Sequence, residues 1–210
     1  MPSLFIITGS NGAGKSTVGT SYLPETIQSS CTVFDGDKLF MQKQRELWSE
    51  GMRAHKEIKK LAFTFVENTF DNLVENVLAN KIDFVYEGHF TNEATWDIPK
   101  RFKAEGYHIH LIFLGLADTD LSEQRVLTRL KKGGHYVNPQ TVADNFYGNL
   151  EKLNKYFPLF DTVQIIDTSS VQHEVLAVLH FGKLNYSLSL LQLPKWFKQY
   201  LPTITGLVTQ

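Results

Sequence analysis

One cysteine stands among the 210 residues, Cys31, so no disulfide can form within the chain. A single thiol fits a reducing compartment and excludes the disulfide-stapled secreted classes. Near the N-terminus no basic segment precedes an apolar stretch, and the run at residues 4–7 is too short for a secretory leader. No apolar run approaches the roughly 18 residues that a membrane span requires. Charge of one sign is also missing. With 21 basic and 22 acidic side chains the net charge is −1, without the basic excess that draws a protein to nucleic acid or acidic membrane. Repeats, low-complexity stretches and linker-like segments are absent. What remains is the expectation of a cytoplasmic globular protein with neither nucleic acid nor membrane as partner. Its length suits one well-buried α/β domain over 1–210, with a core at about 1–168 and a C-terminal extension at about 169–210.

Against these absences stands one dense motif. Residues 9–16 read Gly-Ser-Asn-Gly-Ala-Gly-Lys-Ser, the complete G-x-x-x-x-G-K-[ST] phosphate loop. It follows Leu4-Phe5-Ile6-Ile7-Thr8, a buried-strand pattern, and leads into a helical stretch that Pro24 stops. Strand, glycine loop and helix is the context that gives the motif meaning. Gly9, Gly12 and Gly14 admit conformations that a Cβ forbids, so that successive N–H groups, from Asn11 and Ala13 among others, can turn toward a phosphate. The helix start at Lys15, Ser16 and Thr17 adds its own N–H groups and dipole. In this motif the lysine, Lys15, reaches the β- and γ-phosphates and the hydroxyl of Ser16 is a Mg²⁺ ligand. The implied ligand is a nucleoside triphosphate, with ATP and Mg²⁺ as the expected cofactors.

The rest of the chain alternates apolar runs with helical stretches, which predicts a P-loop NTPase fold. Its parallel sheet of about five strands would carry helices on both faces. The strands are expected at residues 4–8, 31–34, 82–86, 108–114 and 163–167. A long helical region is expected before the third strand, and Pro139 suits the first turn of a helix running to about Tyr156. The tail from Val171 on reads as a helix, a strand-like segment at residues 185–191 and an aromatic cluster, Trp196-Phe197-Lys198-Gln199-Tyr200, docking on the core.

Three kinds of phosphate-loop protein compete. Asn80-Lys81-Ile82-Asp83 spells the guanine-reading N-K-x-D, but it precedes a strand instead of following one, and no Asp-x-x-Gly occurs in the chain. A P-loop ATPase or switch module acting on a protein or nucleic-acid partner is the second reading. It lacks the Ser-Gly-Gly signature of one large class, although Glu87 stands where a strand-end carboxylate belongs. A small-molecule kinase fits best, because it needs carboxylates beside an acceptor and cations over the transferring phosphoryl. Asp35 and Asp37 follow the second strand and Glu87 the third, on the edge that carries the loop. Arg125 and Arg129 lie four apart on one helical face, followed by Lys131, Lys132, Gly133, Gly134 and His135 as a basic lid with a hinge. Asp37 also suits a helix N-cap, Asp35 a turn, and the two arginines a solvated face. His108 and His110 read as structural residues on one face of a strand.

These residues resemble the zeta-toxin family of P-loop kinases, whose characterised members phosphorylate UDP-N-acetylglucosamine. The resemblance runs from the first strand to about Asp167. It is carried by residues 9–16, by Phe34-Asp35-Gly36-Asp37-Lys38-Leu39-Phe40, by Tyr86-Glu87-Gly88-His89, and by Arg125-x-x-x-Arg129 with Gly133-Gly134-His135. It implies that Asp37 is the general base toward the acceptor hydroxyl. It implies that Glu87 supports the sugar and the Mg²⁺ surroundings, and that Arg129 neutralises the transferring phosphate. Arg125 and His135 would complete the nucleotide contacts, His135 standing where the toxins carry an arginine. Members often place a threonine after Glu-Gly, where this chain has His89. The implied partners are a small-molecule acceptor such as UDP-N-acetylglucosamine and, in toxin branches, an antitoxin protein.

Overall fold

Leu4, Ile6 and Ile7 are inaccessible to solvent, and so are Ile109 and Leu114 three strands along the chain. Runs buried on both faces belong inside a parallel sheet. The computed structural model describes residues 1–131, 134 and 136–208. In chain order its elements are β1 (Ser3–Gly9), α1 (Lys15–Val18), α2 (Glu25–Ser30), β2 (Phe34–Asp35), α3 (Gly36–Ser49), α4 (His55–Asn80), β3 (Phe84–Glu87), α5 (Asp97–Ala104) and β4 (His108–Gly115). They continue with α6 (Thr119–Lys131), α7 (Pro139–Tyr156), β5 (Thr162–Asp167), β6 (Glu174–His180), β7 (Lys183–Ser187), α8 (Lys195–Tyr200) and α9 (Pro202–Val208). The strands form one sheet in the order β2-β3-β1-β4-β5-β6-β7. The first five are parallel; β6 and β7 run antiparallel.

The expected five parallel strands are present, and the tail adds two more. Residues 174–180 contain Leu176, Ala177 and Leu179, good helix formers, so the segment reads as helix by propensity. It is a strand instead, because a partner edge is available: β6 pairs Val163↔Leu179 and Ile165↔Ala177 along β5. The strand expected at residues 185–191 ends at Ser187, and Leu191 is almost fully exposed. Residues 31–33 are also outside the ladder. Only Phe34 and Asp35 meet a partner, beside Tyr86 and Glu87 at the sheet edge.

The helical region before β3 divides at Gly51, whose φ of +98° turns the chain between α3 and α4. The helix expected after the phosphate loop is a four-residue α1 followed by a 3₁₀ turn at Gly19–Tyr22. Asn138 caps α7, its side chain accepting the N–H of Thr141 at 2.8 Å, with Pro139 in the first turn as expected. Lys81 closes α4 in the left-handed region and Asp83 accepts the Ser3 N–H at 2.7 Å, so the N-K-x-D string is a helix end opposite the phosphate loop. On that same edge His108 faces Asp161 at 3.3 Å and His110 stacks on Phe5, both structural.

Candidate active site

β1 delivers the glycine loop to the carboxyl edge of the sheet, where ligands of open α/β folds bind. The loop bends through Gly12 and Gly14 at φ of +75° and +94°. A side chain at Gly12 would also meet the Cβ of Arg125 at 2.8 Å, so glycine is required there twice over. The Lys15 ammonium folds back on its own loop, donating to the carbonyls of Gly9 at 3.0 Å and Ser10 at 3.2 Å. Burial lowers its pKa to about 8, opposed by the charges of Glu87 and Asp37.

Glu87 ends β3 directly beside Asp35 of β2. Its Oε1 accepts the Ser16 hydroxyl at 2.6 Å, while Oε2 is buried without a donor among the described residues. Burial, then the neighbouring Asp35 carboxyl, raises Glu87 to about 8. A hydroxyl and two carboxylates form an oxygen donor set of the kind Mg²⁺ prefers, and the orphaned Oε2 is a free ligand atom. Because the folded pKa lies above the unfolded one, Glu87 stabilises the fold below about pH 4.5 and loses that contribution as pH rises through about 8. Without nucleotide, the urea midpoint of Glu87→Gln is expected to gain on that of the native chain as pH rises from about 5 to about 8.

Asp35, not Asp37, caps α3: its Oδ1 accepts the Lys38 N–H at 2.9 Å. Asp37, in the first helical turn, is thereby left exposed to the cleft. Lys15, Ser16, Asp37, Glu87 and Arg129 line one cavity of about 650 Å³. Its far wall is apolar, made by Phe40 of α3 with Phe63 and Val66 of α4. A second hollow of about 610 Å³ continues past Asp37 and Arg129 along α3. Asn11, Gly12, Gly14 and Thr17 also face the main cavity, whereas Ala13 is buried beneath it. Gly9 contributes the carbonyl that receives Lys15. Arg125 is tied down, donating to Gly12 O at 3.3 Å and Ser169 O at 2.8 Å, whereas Arg129 is exposed. The expected lid residues Lys132, Gly133 and His135 lie outside the described residues, and Lys131 is exposed at the end of α6.

Sequence reading missed the polar floor of the site. Asn149 of α7 is 1% exposed. Its Oδ1 accepts the Phe90 N–H at 2.7 Å and the Thr8 hydroxyl at 3.1 Å, while its amide donates to Asn145 O at 2.6 Å and faces His89 Nδ1 at 3.2 Å. That amide makes Nδ1 the acceptor and puts the imidazole proton on Nε2, beside Gly9 and 3.3 Å from Lys15 Nζ. Burial, with Lys15 and Arg129 nearby, holds the His89 pKa well below its usual value, so the ring is neutral. Asn145 donates to the Asn11 side chain at 2.8 Å, and Ser122 to the Asn11 carbonyl at 2.5 Å. The available signal was two asparagines four apart on an otherwise apolar face with Val142, Phe146 and Leu150. Replacing Asn149 by leucine orphans several buried groups at once, and chemical denaturation should show a loss of about 3 kcal/mol.

A five-strand parallel order β2-β3-β1-β4-β5 with a phosphate loop after β1 defines a P-loop protein of small-molecule-kinase build. The chain belongs to the zeta-toxin family, whose model ("Zeta toxin") matches residues 1–174. An uncharacterized protein of Haemophilus influenzae is 25% identical over 134 residues, which are 64% of this chain and 85% of the relative. Among solved structures, one from the PezAT chromosomal toxin–antitoxin system of Streptococcus pneumoniae superposes with a TM-score of 0.61 at 22% identity, covering 82% of this chain and 71% of that one. AvrRxo1-ORF1:ORF2 with ATP gives 0.68 at 13% identity; the match covers 99% of this chain but 64% of that longer one. At these identities the structural likeness establishes the fold. Among the described residues no helix is long and apolar enough to cross a membrane.

Proposed function

We propose that the protein is a kinase that moves the γ-phosphoryl of Mg-ATP to a hydroxyl of a small acceptor, with a nucleotide sugar such as UDP-N-acetylglucosamine as the favoured acceptor class. The observation that carries this reading is the shared cavity. The phosphate loop, the Asp37 carboxylate and the Arg129 guanidinium line it together, the last two with no side-chain hydrogen bond among the described residues, and the apolar Phe40, Phe63 and Val66 in the same lining suit an organic molecule. Family membership, and ATP in the AvrRxo1-ORF1:ORF2 structure, support the same donor.

The Ser16 hydroxyl with Glu87 and Asp35 would hold a Mg²⁺ ion, which would supply neutralisation of negative charge on the phosphates. Lys15 leaves the Gly9 and Ser10 carbonyls for the β- and γ-phosphates. Asp37 orients the acceptor hydroxyl toward γ-phosphorus. As the new O–P bond forms, the bond to the β–γ bridging oxygen breaks and the hydroxyl proton passes to Asp37. Arg129 faces the equatorial oxygens during transfer. Positioning dominates, since the loose transition state releases the proton late. An antitoxin-type partner belongs to this reading as well, in keeping with the toxin–antitoxin system to which the PezAT structure belongs.

Labelled ATP offered with a panel of small acceptors tests the proposal. Label on an added sugar nucleotide or another hydroxyl compound supports it. Release of free phosphate alone, stimulated by a protein or nucleic acid, would establish the ATPase reading in its place.

A further inference from the structure

The aromatic tail is not merely docked. Trp196 of α8 is 2% exposed, and its ring lies over Gly115 at the end of β4. A Cβ on Gly115 would sit 2.3 Å from that ring, so the slot exists only because residue 115 is glycine. From this slot the indole N–H donates to Asp167 Oδ2 at 3.2 Å. Asp167 ends β5, paired beside Gly115. Its other oxygen accepts the Ser169 N–H at 2.8 Å and the Ser169 hydroxyl. The Ser169 carbonyl then receives Arg125, whose other nitrogen holds Gly12 O of the phosphate loop. Beside this chain runs a second one. The Gly115 carbonyl accepts the Thr168 N–H at 2.9 Å, and the fully buried Thr168 hydroxyl lies 2.9 Å from Ala13 O.

We propose that Trp196 is a positioning residue of the nucleotide site, setting the Gly12–Ala13 stretch of the phosphate loop through Asp167, Ser169 and Arg125. This rests on the reading of residues 9–16 as a nucleotide site and extends it to the C-terminal segment. Trp196 lies beyond residues 1–174, the stretch that the family model matches. The physical basis is orientation of a carboxylate. Charge-assisted bonds to Asp167 fix which way its oxygens face, and thereby where the Ser169 carbonyl waits for Arg125. The P-loop N–H groups bind phosphate only while the carbonyls between them face away from it, and those of Gly12 and Ala13 are the two that Arg125 and Thr168 hold.

The test is MgATP affinity by calorimetry on four full-length variants beside the native chain. Trp196→Phe keeps a ring in the Gly115 slot and removes the N–H; its Kd should rise about fivefold, with kcat at saturating ATP changed by less than about twofold. Asp167→Asn should weaken binding by a similar factor. The double variant should be no weaker than either single one, because all three break the same chain. Phe102→Leu is the control for stability alone: fully buried in α5 against Phe84 and Tyr107, away from Asp167, it should lower the unfolding temperature and leave Kd within about twofold. Unchanged affinity in Trp196→Phe, additive losses in the double variant, or an equal loss in Phe102→Leu overturns the inference. A native chain that binds no MgATP overturns the nucleotide reading itself, an outcome distinct from these.

Discussion

Lys15→Ala should lower kcat/KM for MgATP by about 10³-fold, with weaker nucleotide binding, in a steady-state assay against any acceptor that the chain phosphorylates. The lysine is the one cation built into the glycine loop, and its charge meets the phosphates where developing negative charge is greatest. Stability should respond in the opposite sense to activity. In the unliganded fold the ammonium is buried and its pKa lowered to about 8, so the fold disfavours the charge at neutral pH. The thermal midpoint of Lys15→Ala is therefore expected not to fall. Such a split marks a group held for function at a cost to the fold. Unchanged nucleotide affinity in this variant would remove the loop from the account altogether.

Asp37→Asn should reduce phosphoryl transfer by about 10²–10⁴-fold while MgATP affinity remains within about twofold of native. Asparagine keeps the size and shape of the side chain in the first turn of α3. It also leaves the helix cap intact, because Asp35 does the capping. What it removes is the charge facing the cavity and the capacity to take a proton. Rapid-quench measurement of a single turnover isolates the chemical step, and a native rate there would eliminate Asp37 as base.

Much of this arrangement was legible along the chain because the signals are local. The glycine loop, the apolar runs of β1, β4 and β5, and Pro139 each act within a few residues of themselves. Propensity and pattern read such features well. Placing Asp37 and Glu87 on the loop's edge needed only the rule that strands of a parallel sheet end together. The missed features depend on partners far away in sequence. Asn149 looks like an interruption in an amphipathic helix until Thr8, His89 and Phe90 are brought against it from β1 and the end of β3. β6 carries helix formers and becomes a strand only because β5 offers an open edge. The choice between Asp35 and Asp37 as cap turned on a two-residue shift of helix start, finer than local pattern resolves.

The three tryptophans sit in three different surroundings. Trp48 is 44% exposed, Trp96 is buried in an aromatic cluster, and Trp196 holds its indole N–H against Asp167 at the loop that braces the phosphate site. Indole emission follows the polarity and charge around the ring, so light from Trp196 reports on that carboxylate. With Trp48 and Trp96 replaced by phenylalanine, the remaining fluorophore registers movements of the loop after β5. The chain carries its own optical gauge beside the nucleotide pocket, with no dye attached.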